Sequence, residues 1–150
     1  MADIVTPEVR SRMMQAIRGK DTKPELAIRS GLHALGYRFR LHRGSLPGTP
    51  DLVFPGRRAV IFVHGCFWHR HDCHLFKWPK TRREFWRKKI TTNARNDAKH
   101  LGALHEDGWR VLVIWECALK GRRRLPEGEP VVRAASWLKG KHRFREIRGG

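Results

Sequence analysis

The sequence predicts an α/β domain in which a small mixed sheet is flanked by helices. Three observations carry this reading. Two apolar runs, "AVIFV" and "VLVIW", are almost free of polar positions, as expected of central strands covered on both faces. A long helical pattern lies between them. A helix with clear start and stop signals, followed by two shorter strand-like segments, precedes them.

In chain order, residues 1–20 read as a polar, basic arm with one short amphipathic helix around 7–17, where Val9, Met13 and Ile17 recur at helical spacing. "DTKPELAIRSGLHALG" then supplies Thr22 as N-cap, Pro24 in the first turn, Glu25 three residues after the threonine and Gly36 as the stop, placing a helix at about 23–35. "YRFRLH" and "DLVF" read as short strands joined by the turn-rich "RGSLPGTP", and "RRAVIFVHG" as a third. After a His/Cys-rich loop, a long helix runs from 81 to about 106, and "WRVLVIWEC" follows as another central strand. From Gly121 onward the chain reads as a linker, one short helix and a basic tail. The expected organisation is an arm (1–20), a core (21–120) and a basic C-terminal tail (121–150).

At 150 residues this is the size of one domain, able to bury a core without disulfides. A formal net charge of +18 predicts a polyanionic partner, and the six tryptophans favour nucleic acid. Basic charge is shared by ribosomal proteins and binders of anionic membranes, so it names a partner class and not an activity. No stretch approaches the roughly 18 apolar residues of a membrane span, and "MADIVTPEVR" lacks the apolar core of a signal peptide, so a cytoplasmic protein is expected. Cys66, Cys73 and Cys117 cannot all pair within one chain, and reduced cytosolic thiols point to metal ligation.

The loop "HGCFWHRHDCHLF" holds Cys66, His71 and Cys73 as C-x4-H-x-C, and Cys117 lies just past the last central strand. Thiolates and an imidazole in a closed set of four are what a structural zinc prefers. His69, His71 and His74 all lie within reach, and spacing alone does not choose among them. Carboxylates form the second theme. Glu25 shares a helical stripe with Ile28, Leu32 and Leu35, and Asp97 is the one charged member of the stripe Trp86, Ile90, Ala94, Asp97, Leu101 and Leu104. An acid aimed at a core is expensive unless it meets a cation. With Asp51 at the start of a strand, three acids converge on one small sheet beside a histidine-rich loop. Carboxylates around Mg²⁺ suit phosphodiester hydrolysis, which favours a nuclease.

Thr22 to Glu25, "LPGTPDLVF", "AVIFVHGCFWHRHDC", "TRREFWRKKI" and "GWRVLVIWECAL" resemble, in order and spacing, the very short patch repair (Vsr) DNA mismatch endonucleases over about residues 8–125. The resemblance implies a restriction-endonuclease-like fold. It also implies an enzyme that nicks one strand of double-stranded DNA beside the thymine of a T:G mismatch left by deamination of 5-methylcytosine, initiating very short patch repair. Asp51 would be the central Mg²⁺ ligand and the backbone carbonyl of Val63 the second. Glu25 would act on a water of that metal. His69 would be the general base, supported by His64 and Asp97; the ordinary pKa of an imidazole lies near neutrality, which suits a base. Cys66, His71, Cys73 and Cys117 match the structural zinc, which selects His71 as ligand and leaves His69 for catalysis.

Phe67, Trp68 and Trp86 correspond to residues that wedge between base pairs from the major-groove side, and Met14 to one entering from the minor-groove side. Lys89 and Asn93 correspond to contacts with the mismatched bases. The resemblance implies a monomer, with mismatch-repair proteins among the partners it allows. Two departures stand out. The Glu-x-Lys pair usual in restriction-fold nucleases is absent from "AVIFVHG", so histidines must replace its lysine. Val63 stands where the family commonly has threonine, so a carbonyl is kept and a hydroxyl lost. Two rival readings remain at this level. A non-catalytic zinc-stapled DNA-binding protein would not bring Glu25, Asp51 and His69 together, whereas a homing or restriction nuclease would cut both strands without a mismatch.

Overall fold

The computed structural model describes residues 22–150, so the arm expected over 1–20, including Met14, lies outside the described residues. Helix α1 (Lys23–Ala34) begins as its sequence dictates: the Thr22 hydroxyl accepts from the Glu25 amide at 3.4 Å, and Pro24 occupies the first turn. Ile28 and Leu32 are buried with Glu25 on one face. Leu35 departs from the expected stripe. The helix stops at Ala34, Leu35 takes the cap conformation, and its side chain points to solvent.

Five strands form one mixed sheet in the order β1 (Arg40–Leu41), β2 (Leu52–Phe54), β3 (Ala59–His64), β4 (Arg110–Trp115) and β5 (Phe144–Ile147). β1 and β2 are antiparallel, as are β2 and β3, whereas β4 runs parallel to both β3 and β5. Helices make the parallel crossovers, α2 (Arg83–Glu106) from β3 to β4 and α3 (Glu129–Lys139) from β4 to β5. Alternation along the strands divides the interior in two. Leu52, Ile61, Leu112 and Ile114 pack with Ile28 and Leu32 of α1 and Trp137 and Leu138 of α3. On the opposite face Val60, Phe62, Val111, Val113 and Trp115 meet Leu104 and Leu101 of α2. This is the architecture of the restriction-endonuclease-like fold.

The segment read as linker, short helix and basic tail contains more order than expected. α3 buries Trp137 and Leu138, and "FREI" adds a fifth strand in register with β4, pairing Ile114 with Ile147. Only Ile147 of that strand is buried, because β5 is an edge and its alternation carries arginine and glutamate. The two short strands also contract: "YRFRLH" pairs only at Arg40–Leu41, since Tyr37 and Phe39 turn inward onto Phe54. Among the described residues no helix is long and apolar enough to cross a membrane.

Candidate active site

A cavity of about 590 Å³ opens between the sheet and α2, and its walls include Asp51, His64, His69, Asn93 and Asp97. These residues come from β2's approach, the end of β3, the loop after it and α2. Asp51 is delivered by "LPGTP". Gly48 adopts φ +77, and a Cβ there would lie 3.1 Å from His100 on α2, so the turn can press against that helix only because glycine occupies it. The Asp51 carboxylate then accepts from the Val63 amide at 2.7 Å through Oδ2. That bond places Asp51 beside the Val63 backbone on β3.

Glu25 reaches the same region from α1. Its Oε2 accepts from Arg29 at 3.0 Å and lies 2.6 Å from His42 Nε2, and the same nitrogen is 3.9 Å from Asp51 Oδ1. The sequence reading did not include His42. Nothing in "RLHRG" marks this histidine, and only the antiparallel register of β1 and β2 turns it toward Asp51. Glu146 of β5 is a second residue it missed; it lines the cavity and accepts from the Trp115 indole at 3.4 Å.

His69 Nδ1 lies 2.5 Å from Asp97 Oδ2, and its ring stacks on His64 with centroids 3.8 Å apart and planes 6° from parallel. A neutral His69 that donates Nδ1–H to this carboxylate would carry its lone pair on Nε2. Burial, reinforced by His69 and His71, holds His64 well below the ordinary histidine range, and its Nδ1 is buried with no hydrogen-bond partner among the described residues. His64 is therefore a neutral imidazole with an unused polar atom. Glu25, His42 and Asp51 form one group of ligand atoms all within 4.8 Å of one another, and His64, His69 and Asp97 form another. The two carboxylates of the first group fit a hard divalent cation; the second, with two imidazoles and one carboxylate, fits one less well.

Burial pushes Asp51 up to about 8, the Val63 amide opposing it and the Glu25 carboxylate adding to it. Between about pH 4 and 8 the folded protein thus keeps a proton that the unfolded chain has released, so stability falls as pH rises through this window and is flat below it. A divalent cation held at Asp51 would compete with that proton. Calorimetry in Mg²⁺-free buffer should show the stability of wild type relative to Asp51→Asn declining from pH 5 to pH 8, and added Mg²⁺ should restore more at pH 8. A difference independent of pH would show that Asp51 is ionised throughout.

A third group, Cys66, His71, Cys73 and Cys117, also brings one ligand atom from each residue within 4.8 Å of all the others. Cys66 Sγ is 3.4 Å and Cys117 Sγ 3.6 Å from His71 Nδ1. Three sulfurs and one imidazole match zinc in both softness and number. Burial raises both the Cys66 and Cys117 thiols and lowers His71 to about 4, so metal capture must expel thiol protons but none from the imidazole. The group sits where the parallel strands end: the loop after β3 gives three donors and the turn after β4 gives Cys117. Residues past β5 close over it, where the Gly149 amide donates to Cys117 Sγ at 3.3 Å, and a Cβ at Gly149 would collide with the Cys117 and Arg123 carbonyls. His74 lies outside this group, packed against Gly121.

Phe67 and Trp68 are half-buried. Their rings meet each other at 5.2 Å and the Trp86 ring at 5.4 and 5.7 Å, so the loop and the start of α2 share one aromatic cluster. Asn93 donates to the Trp68 carbonyl at 3.1 Å, and Lys89 lies one turn earlier on α2. His71 stacks on Trp115 at 3.9 Å, and Trp115 meets His64 edge-on at 5.3 Å, so a column of rings links the Cys/His group to the cavity.

This mixed sheet, with carboxylates and imidazoles gathered at its strand ends, has the architecture of the restriction-endonuclease-like hydrolases, and its relatives place the chain among the DNA endonucleases. The family model "DNA mismatch endonuclease Vsr" matches residues 2–75. The chain is 47% identical over 147 residues to the DNA mismatch endonuclease Vsr of Escherichia coli, covering 98% of this chain and 94% of that protein. It is 55% identical over 119 residues to the type II nicking enzyme V.XorIIP of Xanthomonas oryzae pv. oryzae, covering 79% and 88% respectively. With the nicking enzyme V.NmeAIP of Neisseria meningitidis it shares 41% over 122 residues, covering 81% and 87%. The chain belongs to the Vsr DNA mismatch endonuclease family.

Proposed function

We propose that the protein is a Mg²⁺-dependent endonuclease that nicks one strand of duplex DNA beside the thymine of a T:G mismatch, acting in the cytoplasm as a monomer at the start of very short patch repair. The observation that carries this reading is the placement of Asp51, His64, His69 and Asp97 on one cavity, with Glu25 tied to it through His42. A non-catalytic DNA-binding module has no use for that convergence. Nicking assays on T:G and matched duplexes in several sequence contexts, with and without Mg²⁺, test the reading. Cleavage of both strands of matched DNA would favour a restriction-type nuclease.

Asp51 and the Val63 carbonyl are the groups that would hold the cation, and Glu25 would act on one of its waters; the cation would supply charge stabilisation at the phosphate and a more acidic water. His69 Nε2 takes the proton of the attacking water as one P–O bond forms and another breaks. Asp97 fixes the His69 tautomer and stabilises the imidazolium that results. His64 stacks beneath His69, limiting its rotation. Cys66, His71, Cys73 and Cys117 would hold Zn²⁺, which supplies a structural crosslink. Replacing threonine by Val63 keeps the backbone carbonyl and removes only a hydroxyl.

Discrimination is assigned to the aromatic cluster. Wedging Phe67, Trp68 and Trp86 between base pairs costs a few kcal/mol of unstacking, least where pairing is already weak. Met14 would enter from the opposite groove, and Lys89 and Asn93 would contact the mismatched bases. Phosphate contacts carry no such selectivity and weaken with salt at a log–log slope of about −0.9 per neutralised phosphate. Replacing Phe67 and Trp68 together by alanine should erode the preference for T:G over T:A duplexes while leaving the salt slope on matched DNA almost unchanged. Replacing the exposed Arg122, Arg123 and Arg124 by alanine should weaken binding to every duplex and flatten the slope. Titrations at several salt concentrations separate the two. An unchanged T:G preference in the aromatic variant would reduce Phe67 and Trp68 to packing beside the Cys/His group.

A further inference from the structure

The Glu25 carboxylate is buried, 1% exposed, and among the described residues Arg29 and His42 approach its Oε2 from different segments. Arg29 lies four residues along the same helix, so its ion pair with Glu25 fixes nothing relative to the sheet. His42 directly follows β1. Its amide donates to the Asp51 carbonyl at 3.1 Å, which sets residue 42 opposite Asp51 across the β1–β2 pair. Its ring then reaches Glu25 at 2.6 Å while staying 3.9 Å from Asp51 Oδ1. One imidazole therefore ties α1 to the strand that delivers Asp51. The Asp51 carboxylate is fixed separately, by the Val63 amide.

The backbone makes this reach possible. His42 adopts φ +45, a left-handed conformation that side chains other than glycine rarely take and that histidine and asparagine tolerate better than most. An ordinary extended residue at this point would continue the strand and carry its side chain along the alternation of β1.

We propose that His42 is a positioning residue of the candidate cation site, holding the Glu25 carboxylate in register with Asp51 by a hydrogen bond that crosses from sheet to helix. This rests on reading Asp51 and Glu25 as that site. Without the bond, Glu25 loses this tie to the segment that delivers Asp51, whereas its pair with Arg29 holds it only along its own helix. Outer partners that orient metal-binding carboxylates typically contribute 10–100-fold to affinity or rate.

Two substitutions separate this role from a merely structural one. Asparagine keeps the tolerance for φ > 0 but is too short to span to Glu25. Glutamine reaches Glu25 and offers an N–H donor. With the full-length, zinc-loaded protein, Mn²⁺ binding is titrated by EPR without DNA, and single-turnover nicking of a T:G duplex is measured with Mg²⁺. His42→Asn should weaken Mn²⁺ binding and slow nicking by about 10–100-fold each, with duplex affinity unchanged, and His42→Gln should recover most of both losses. Wild-type Mn²⁺ affinity and rate in His42→Asn would overturn the proposal. So would a glutamine variant as impaired as the asparagine one, since the ring itself would then be required. Asp51→Asn distinguishes failure of the inference from failure of its premise. If that variant retains Mn²⁺ affinity, the cation reading falls and the proposal with it; if it loses affinity while His42→Asn keeps it, only the positioning role falls.

Discussion

Asp51→Asn and His69→Ala are each expected to abolish measurable nicking while leaving binding to a T:G duplex largely intact. Asparagine at 51 is the sharper probe, because its amide oxygen still accepts from the Val63 amide, now 2.7 Å from Asp51 Oδ2, while the negative charge is gone. A drop in rate then reports on charge and not on a collapsed strand end. His69→Ala removes the ring that lies 2.5 Å from Asp97 and stacks on His64. Loss of a general base commonly costs about 10²–10⁴-fold. The Asp51 variant should fall at least as far, since the cation is its direct partner in the proposed chemistry. Single-turnover assays at saturating enzyme give the rate, and band shifts on the same duplex give binding. Near wild-type nicking with Mg²⁺ in either variant would move the chemistry to another part of the cavity.

Cys73→Ser is expected to release bound zinc and to lower the melting temperature more than any substitution in the cavity. The donors come from two segments separated by the whole of α2, so the ion would crosslink the ends of β3 and β4. Structural zinc can contribute on the order of 10 kcal/mol of apparent binding energy, comparable with the stability of a whole domain. His69→Ala should keep its zinc, because His69 belongs to the group with His64 and Asp97. Metal analysis of purified variants decides the matter. Zinc lost from the His69 variant and retained on replacing His71 would reverse the two roles.

Much of this arrangement can be read in the residues. Thr22, Pro24 and Glu25 start α1 where the helix does start, and the unbroken apolar runs of β3 and β4 mark them as the buried pair at the centre of the sheet. Glu25 and Asp97 stood out as acids on apolar faces, and both meet a histidine. What local pattern could not supply was anything decided by register. β5 is an edge strand of four residues with one buried side chain, so its alternation is hardly visible beneath its charges. His42 meets Glu25 through a left-handed backbone and a partner on α1, neither of which leaves a trace in "RLHRG". Spacing alone left three histidines as candidates for the metal. The fold separates them, because the His69 ring turns toward α2 while His71 lies against Trp115 and the sulfurs.

The loop between Cys66 and Cys73 carries the proposed base, two of the proposed wedges and three of the four sulfur or nitrogen donors. On this reading, assembly and activity would not be separable in this protein. A newly made copy whose sheet has formed but which has not yet captured its metal would have no fixed place for His69, nor for Phe67 and Trp68. It would hold to duplex through charge alone and leave the backbone uncut. For an enzyme whose product is a broken strand, that is a safeguard against immature molecules.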